Sequence, residues 1–184
     1  LLACLALALA GCVTHIKSRV TQNPAPAEKF ANFDRVELAP VTLVAPYAGQ
    51  EANEKALRKI QANVDLRARP LLAEWNARAA TPASRTLVIQ PRITQIKFLN
   101  ATTRVWTSWM SGSSAVILQV DFIDQASGQR IATPEFYARA AAMSGAMSFG
   151  AADNAMLIRI ATRFTDYLKN NYAQAIGGPS GVES

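Results

Sequence analysis

This chain is poor in the residues that most often carry chemistry. Its 184 residues include two cysteines, Cys4 and Cys12, and a single histidine, His15. Beyond His15 there is no thiol to act as nucleophile, metal ligand or disulfide partner, so a folded domain here must be held by packing alone. His15 stands in a polar stretch with no acid beside it, which makes a poor general base. Ser108, Ser111, Ser113 and Ser114 have no histidine or lysine in an activating relation, and Gly-x-Ser-x-Gly is absent. Ser111-Gly112-Ser113-Ser114 is too short for a phosphate loop and lacks its lysine, and there is no Asp-x-Asp-x-Asp calcium loop. Asp121 and Asp124 lie three apart, on opposite faces of a strand, and one of them is expected to pair with Arg130 or Arg139 across a hairpin. These absences argue for a protein that is not an enzyme, with no cofactor and no metal site. The chain also has no apolar run long enough to span a bilayer, since Leu1 to Ala10 is too short.

What is present is a signal. The apolar run ends in Leu9-Ala10-Gly11-Cys12: an apolar residue, two small ones and a cysteine, with polar sequence starting two residues later. No basic residue precedes the run and there is no initiating Met, so the sequence is expected to begin inside a signal peptide. The pattern resembles bacterial lipoprotein signals. That resemblance implies cleavage before Cys12 and acylation of its sulfur, with 1–11 removed. Val13 stands where an inner-membrane retention signal has Asp, so the implied destination is the periplasmic face of the outer membrane. Two or three acyl chains, at ~0.8 kcal/mol per buried methylene, anchor a protein permanently.

The formal charge is +6, with every charged residue after Cys12. In an envelope protein a basic surface favours anionic lipid head groups or acidic envelope polymers, rather than nucleic acid. Half of the residues are hydrophobic, which excludes a disordered chain.

Residues 12–31 read as the lipidated cysteine and a flexible tether, about 60 Å long at full extension; 32–175 read as a single periplasmic domain and 176–184, rich in glycine, as a disordered tail. Within the domain, an alternating run from Phe33 to Leu38 leads into Pro40-Val41-Thr42-Leu43-Val44, read as the first strand. Leu57, Ile60, Val64, Ala68, Leu71 and Trp75 recur at helical spacing, with Pro70 expected to kink or break the helix near Ala68-Arg69. In the next strand, Leu87, Ile89 and Ile93 share one parity and Ile96 and Phe98 the other, so a bulge is expected at Thr94-Gln95. Pro91 demotes part of that strand to an edge or a bulged position. Val116, Leu118, Val120 and Phe122 define the clearest strand. Gln125-Ala126-Ser127-Gly128 turns it into a partner strand interrupted at Pro134. Leu157, Ile160, Ala161, Phe164 and Leu168 line a closing helix started by Asp153. The order β-α-β-β-β-α predicts an α+β fold, a small, largely antiparallel sheet with two amphipathic helices on one face.

Arg104-Val105-Trp106, Gly112-Ser113-Ser114-Ala115, Asp124-Gln125-Ala126-Ser127-Gly128-Gln129-Arg130-Ile131-Ala132 and Phe149-Gly150-Ala151-Ala152-Asp153-Asn154-Ala155 together resemble a family of uncharacterised proteobacterial lipoproteins built on a domain of unknown function. The resemblance runs from Arg104 to Tyr172. It implies an envelope lipoprotein whose domain is akin to small periplasmic modules of secretion and transport assemblies, and it supplies no catalytic residues. Thr107-Ser108-Trp109-Met110-Ser111 departs from the glycine-rich sequence common there.

That same loop is the strongest binding candidate. Arg104, Trp106, Trp109 and Met110 suit a protein partner or a lipid rim, while two tryptophans closing the core at a sheet end is the competing reading. Met143, Met147 and Phe149 could join this surface or fill the core. The expected function is therefore a membrane-anchored binding or structural lipoprotein with a protein partner in the envelope, as a subunit of an assembly or an oligomer. A lipid- or amphiphile-binding module is the alternative, and a hydrolase with an unrecognised site a more distant one.

Overall fold

The computed structural model describes residues 16–78, 84–97, 114–140 and 151–182. Its elements in chain order are β1 (Gln22–Asn23), a 3-10 turn (Phe30–Asn32), β2 (Arg35–Leu38), β3 (Thr42–Leu43), α1 (Glu51–Asn76), β4 (Thr86–Lys97), β5 (Ala115–Asp124), β6 (Arg130–Ala132), β7 (Glu135–Arg139), α2 (Ala151–Asn170) and β8 (Gly178–Pro179). The fold is α+β.

The main sheet has six strands in four positions across its width. β4 and β5 form its antiparallel centre; β6 and β7 continue it antiparallel beyond β5, and β2 and β3 lie parallel to β4 on the other side. The sheet is thus mixed rather than uniformly antiparallel. The parallel pairing follows from α1, whose 26 residues carry the chain back along the sheet so that β4 starts level with β2.

The helical stripe is as the spacing predicts, with Ala56, Ile60, Val64, Ala68, Leu72 and Trp75 buried and Leu57 and Leu71 packed at the margin. The expected break at Pro70 does not occur. Pro70 is exposed, and the carbonyl it deprives of a partner belongs to Leu66, itself 71% exposed, where water can take the place of the lost donor. α2 lies beside α1 in the same direction: Lys59 Nζ donates to Asn154 near the helix starts, and Trp75 stacks on Tyr172 at 4.3 Å beyond the ends. Both stripes meet Leu87, Ile89, Ile93, Val116, Leu118, Val120 and Phe122 on one face of the sheet, in one continuous core.

β4 carries the expected bulge, with the register against β5 shifting between Ile93 and Gln95. Pro91 sits inside this central strand. Alternation along the strand turns its backbone toward β2 and β3, and their pairing ends at Ile89 and resumes at Arg92, leaving a gap where the missing donor costs nothing. The hairpin turn has Gly128 at φ +69, with its N–H donating to the Asp124 carbonyl at 2.8 Å.

Two assignments need correction. Residues 16–31 are not a free tether, nor are 176–182 a disordered tail. Ile16 packs with Ala115, Ile117 and Tyr137 on the face of the sheet away from the helices. Ala27 N–H donates to the Ile131 carbonyl at 2.9 Å, and Phe30 is fully buried in the main core. β1 pairs with β8, and Tyr137 N–H on β7 donates to Ser180 O at 2.8 Å. The domain therefore extends from Ile16 to at least Val182, beyond the expected limits of 32 and 175.

These segments close a sheet edge that would otherwise expose unpaired backbone. Asn23 does so with its side chain, donating from Nδ2 to the Glu135 carbonyl and accepting from the Glu135 N–H at Oδ1, a substitute for a strand partner. At the opposite edge Asn76 treats Val36 in the same way, at 2.9 and 2.7 Å.

Candidate functional site

The residues singled out from sequence, Cys12, Arg104, Trp106, Trp109 and Met110, lie outside the described residues, as do Met143, Met147 and Phe149. What the structure places is the framework around them. Lys97 and Ala115 are register partners, as are Ala115 and Arg139. The stretch 98–113 is thus bracketed by residues at one end of the sheet, and the strand that precedes 141–150 ends there too. Ile16, packed on Ala115 and Ile117, is at that end too.

The opposite end holds a charged cluster. Arg85, just before β4, grips Glu28 through two parallel bonds of 2.9 and 2.7 Å and Asp124 through a third of 2.7 Å. Its guanidinium also lies over the Phe33 ring, 4.4 Å from the centroid. Charged hydrogen bonds from Arg85 hold both carboxyls below their ordinary range. The cluster ties the N-terminal segment to the β5 turn, where Asp124 Oδ1 also accepts from Ala126 N–H. A carboxyl lowered in the folded state contributes stability that is complete above its unfolded pKa and is lost as pH falls through the lowered folded value. Arg85→Gln is therefore expected to lower the urea midpoint around pH 7 and to approach the parent chain around pH 2. An equal gap at both pH values contradicts this assignment.

A second cluster sits on the sheet face away from the helices. Asp121, nearly buried, accepts from Arg92 Nη2 at 2.6 Å and from Thr133 Oγ1 at 3.1 Å, with Arg130 Nε at 3.5 Å. The two aspartates thus serve different arginines, as their spacing implies, and do not converge into a carboxylate pair. Each is bound by a guanidinium from β4 or the residue before it, an arrangement suited to holding strands together.

An open depression of about 350 Å3 is lined by Val41, Leu57, Arg58, Gln61, Ala62 and Asp65. Its polar groups already serve the fold: Gln61 Oε1 accepts from Val41 N–H at 2.7 Å, Gln61 Nε2 donates to Asp65 at 2.9 Å, and Arg69 also bonds Asp65. Among the described residues no group of three or more His, Cys, Asp or Glu side chains could hold a metal ion, and no helix is long and apolar enough to cross a membrane.

A sequence reading could have found the N-terminal packing. Ile16-Lys17-Ser18-Arg19 alternates buried and exposed, but serine stands where an apolar residue would signal a strand. Ser18 earns its burial by hydrogen bonding instead: its hydroxyl bonds the Glu135 carboxylate and accepts from Val20 N–H.

The family model described as "Domain of unknown function (DUF4410)" matches residues 31–145, more than half of the chain. The chain belongs to this family. No curated protein matches it. Several solved structures align with most of the chain. PelC from Paraburkholderia phytofirmans, crystallised as a dodecamer, is 14% identical with a TM-score of 0.38, covering 76% of this chain and 91% of PelC. A candidate lipoprotein from Caulobacter crescentus is 11% identical with a TM-score of 0.34, covering 75% of this chain and 87% of its own. A Xanthomonas campestris protein of family DUF330 is 16% identical with a TM-score of 0.39, covering 85% and 90%.

Proposed function

We propose that this chain is a non-catalytic lipoprotein, anchored through Cys12 to the periplasmic face of the outer membrane, whose domain binds another envelope component as part of an assembly. The observation that carries the reading is Leu9-Ala10-Gly11-Cys12, set between an apolar run and a chain that is already packed on the sheet at Ile16. Arg104, Trp106, Trp109 and Met110 are the proposed partner contacts. Supporting this choice, Lys97 and Ala115, the described residues that precede and follow them in the chain, stand at the same end of the sheet as Ile16. The paired state of Asp121 and Asp124 agrees with a structural rather than a catalytic use of the described acids.

In-cell photo-crosslinking tests the binding role. Photoreactive residues at positions 107, 108 and 111 are expected to give a discrete protein adduct, while one at Thr42 on the far edge strand gives none. Lipid adducts alone at the loop would replace the assembly role with that of an amphiphile-binding module. No adduct at any loop position would remove the contact assignment.

A further inference from the structure

Resting on the lipoprotein reading above, we propose that one corner of the domain is set directly against the anionic head groups of the membrane. It lies on the sheet face away from the helices and is formed by Lys17, Lys97 and Arg139 around Ile16. The first argument is the length of the leash. Ile16 is 7% exposed and packed on the sheet, and its carbonyl accepts from the Tyr137 hydroxyl at 3.4 Å. Only four peptide units separate it from Cys12, and these span at most about 14 Å. A flexible tether from 12 to 31 would have let the domain drift and tumble. A chain clamped at Ile16 holds it at the surface.

The second argument is direction. From Asn23, bonded to Glu135, the chain passes Ser18, which also bonds Glu135, and reaches Ile16 beside Ala115 and Ile117. It therefore runs up the sheet toward the Lys97–Ala115–Arg139 row and leaves from that end. β5 is ten residues long, so the turn at Gln125 is roughly 30 Å away at the far end of the sheet. The leash holds this row, and not that turn, within about 14 Å of the bilayer.

The third argument is charge. Lys97, Ala115 and Arg139 are consecutive partners across three strands. Ile96, Val116 and Ala138 face the helices, which places the Lys97–Ala115–Arg139 row on the opposite face with Ile16. Lys17 and Arg139 are exposed. The acid closest along these strands, Glu135, lies two alternate positions below Arg139 and is engaged by Ser18. A basic row around the anchor's exit point complements an anionic surface, where each Lys or Arg contributes about a fivefold gain in binding.

The test uses the lipidated protein in vesicles of phosphatidylethanolamine and phosphatidylglycerol, with a fluorophore on Gln95→Cys, in the row next to the corner, or on Gln125→Cys at the far turn. Head-group-linked quenching lipid is expected to quench the first probe several-fold more than the second. Equal quenching, or the reverse order, overturns the docking while leaving the anchor intact. Absence of acyl mass on Cys12 in the same preparation would instead remove the lipoprotein reading. Binding of the unacylated Cys12→Ser chain to phosphatidylglycerol vesicles separates the corner from overall charge. Lys17→Gln and Arg139→Gln are each expected to weaken it about fivefold, and Arg58→Gln on α1 to leave it nearly unchanged. Equal losses from all three would contradict a specific corner.

Discussion

Phe30→Ala is expected to destabilise the whole domain by about 3–5 kcal/mol, the usual cost of emptying a fully buried phenylalanine site. Phe30 comes from a segment that reads in sequence as tether, yet it has no exposed surface. Its ring stacks on Phe122 at 4.8 Å and 8° and lies 6.2 Å from Tyr167. Tyr167 in turn meets Phe122 at 5.8 Å and Phe136 edge-on at 5.6 Å. Removing Phe30 therefore opens a void at one side of an aromatic cluster that joins α2 to β5 and β7. Burial also pushes the Tyr167 phenol pKa up, and its hydroxyl donates to the Pro24 carbonyl, a second tie from the same segment. Urea unfolding monitored by circular dichroism measures the loss. A change within about 0.5 kcal/mol, typical of surface positions, would mean that the segment is dispensable after all.

Asn171→Ala is expected to cost on the order of 2–3 kcal/mol, by stranding buried backbone groups. The Asn171 side chain is fully buried just past the end of α2. Its Oδ1 accepts from the N–H groups of Ile176 and Gly177 at 2.9 and 2.7 Å, and its Nδ2 donates to the carbonyls of Tyr167 and Gly177. One amide thus ends the helix and folds the following segment back toward β1. Gly177 completes the turn at φ +76, where an added Cβ would come within 2.3 Å of the Asn23 carbonyl oxygen. The loss should appear both in global stability and in faster amide exchange at Tyr137, whose N–H is bound to Ser180 in that segment. Normal protection at Tyr137 with unchanged stability would contradict this role.

The central architecture was legible because its residues obey simple periods. Ile60, Val64, Ala68 and Trp75 fall at helical spacing, and Val116, Leu118, Val120 and Phe122 alternate, so apolar burial alone marks them. The bulge at Thr94-Gln95 was readable as a change of parity. Other features depend on tertiary partners that no local pattern encodes. Pro70 keeps its helix because its orphaned carbonyl faces water. Pro91 fits a central strand because β2 and β3 part opposite it. The outer segments were misread because they are held by Asn23, Ser18, Asn171 and Ser180, through hydrogen bonds that look like solvent-facing polarity in a sequence. The candidate contacts at Arg104, Trp106, Trp109 and Met110 are a sequence-level proposal, and the structure adds the strand positions before and after them, Lys97 and Ala115.

The most direct test of the account is the mass of the N-terminal peptide of the protein taken from cell envelopes, alongside fractionation of Cys12→Ser. The expected result is a chain starting at Cys12, with acyl mass on that residue, in the outer membrane, and a Cys12→Ser chain missing from that fraction. A chain starting at Val13 or later, or an intact unmodified Cys12 in a soluble fraction, would contradict the anchor and with it the placement of the domain at the membrane.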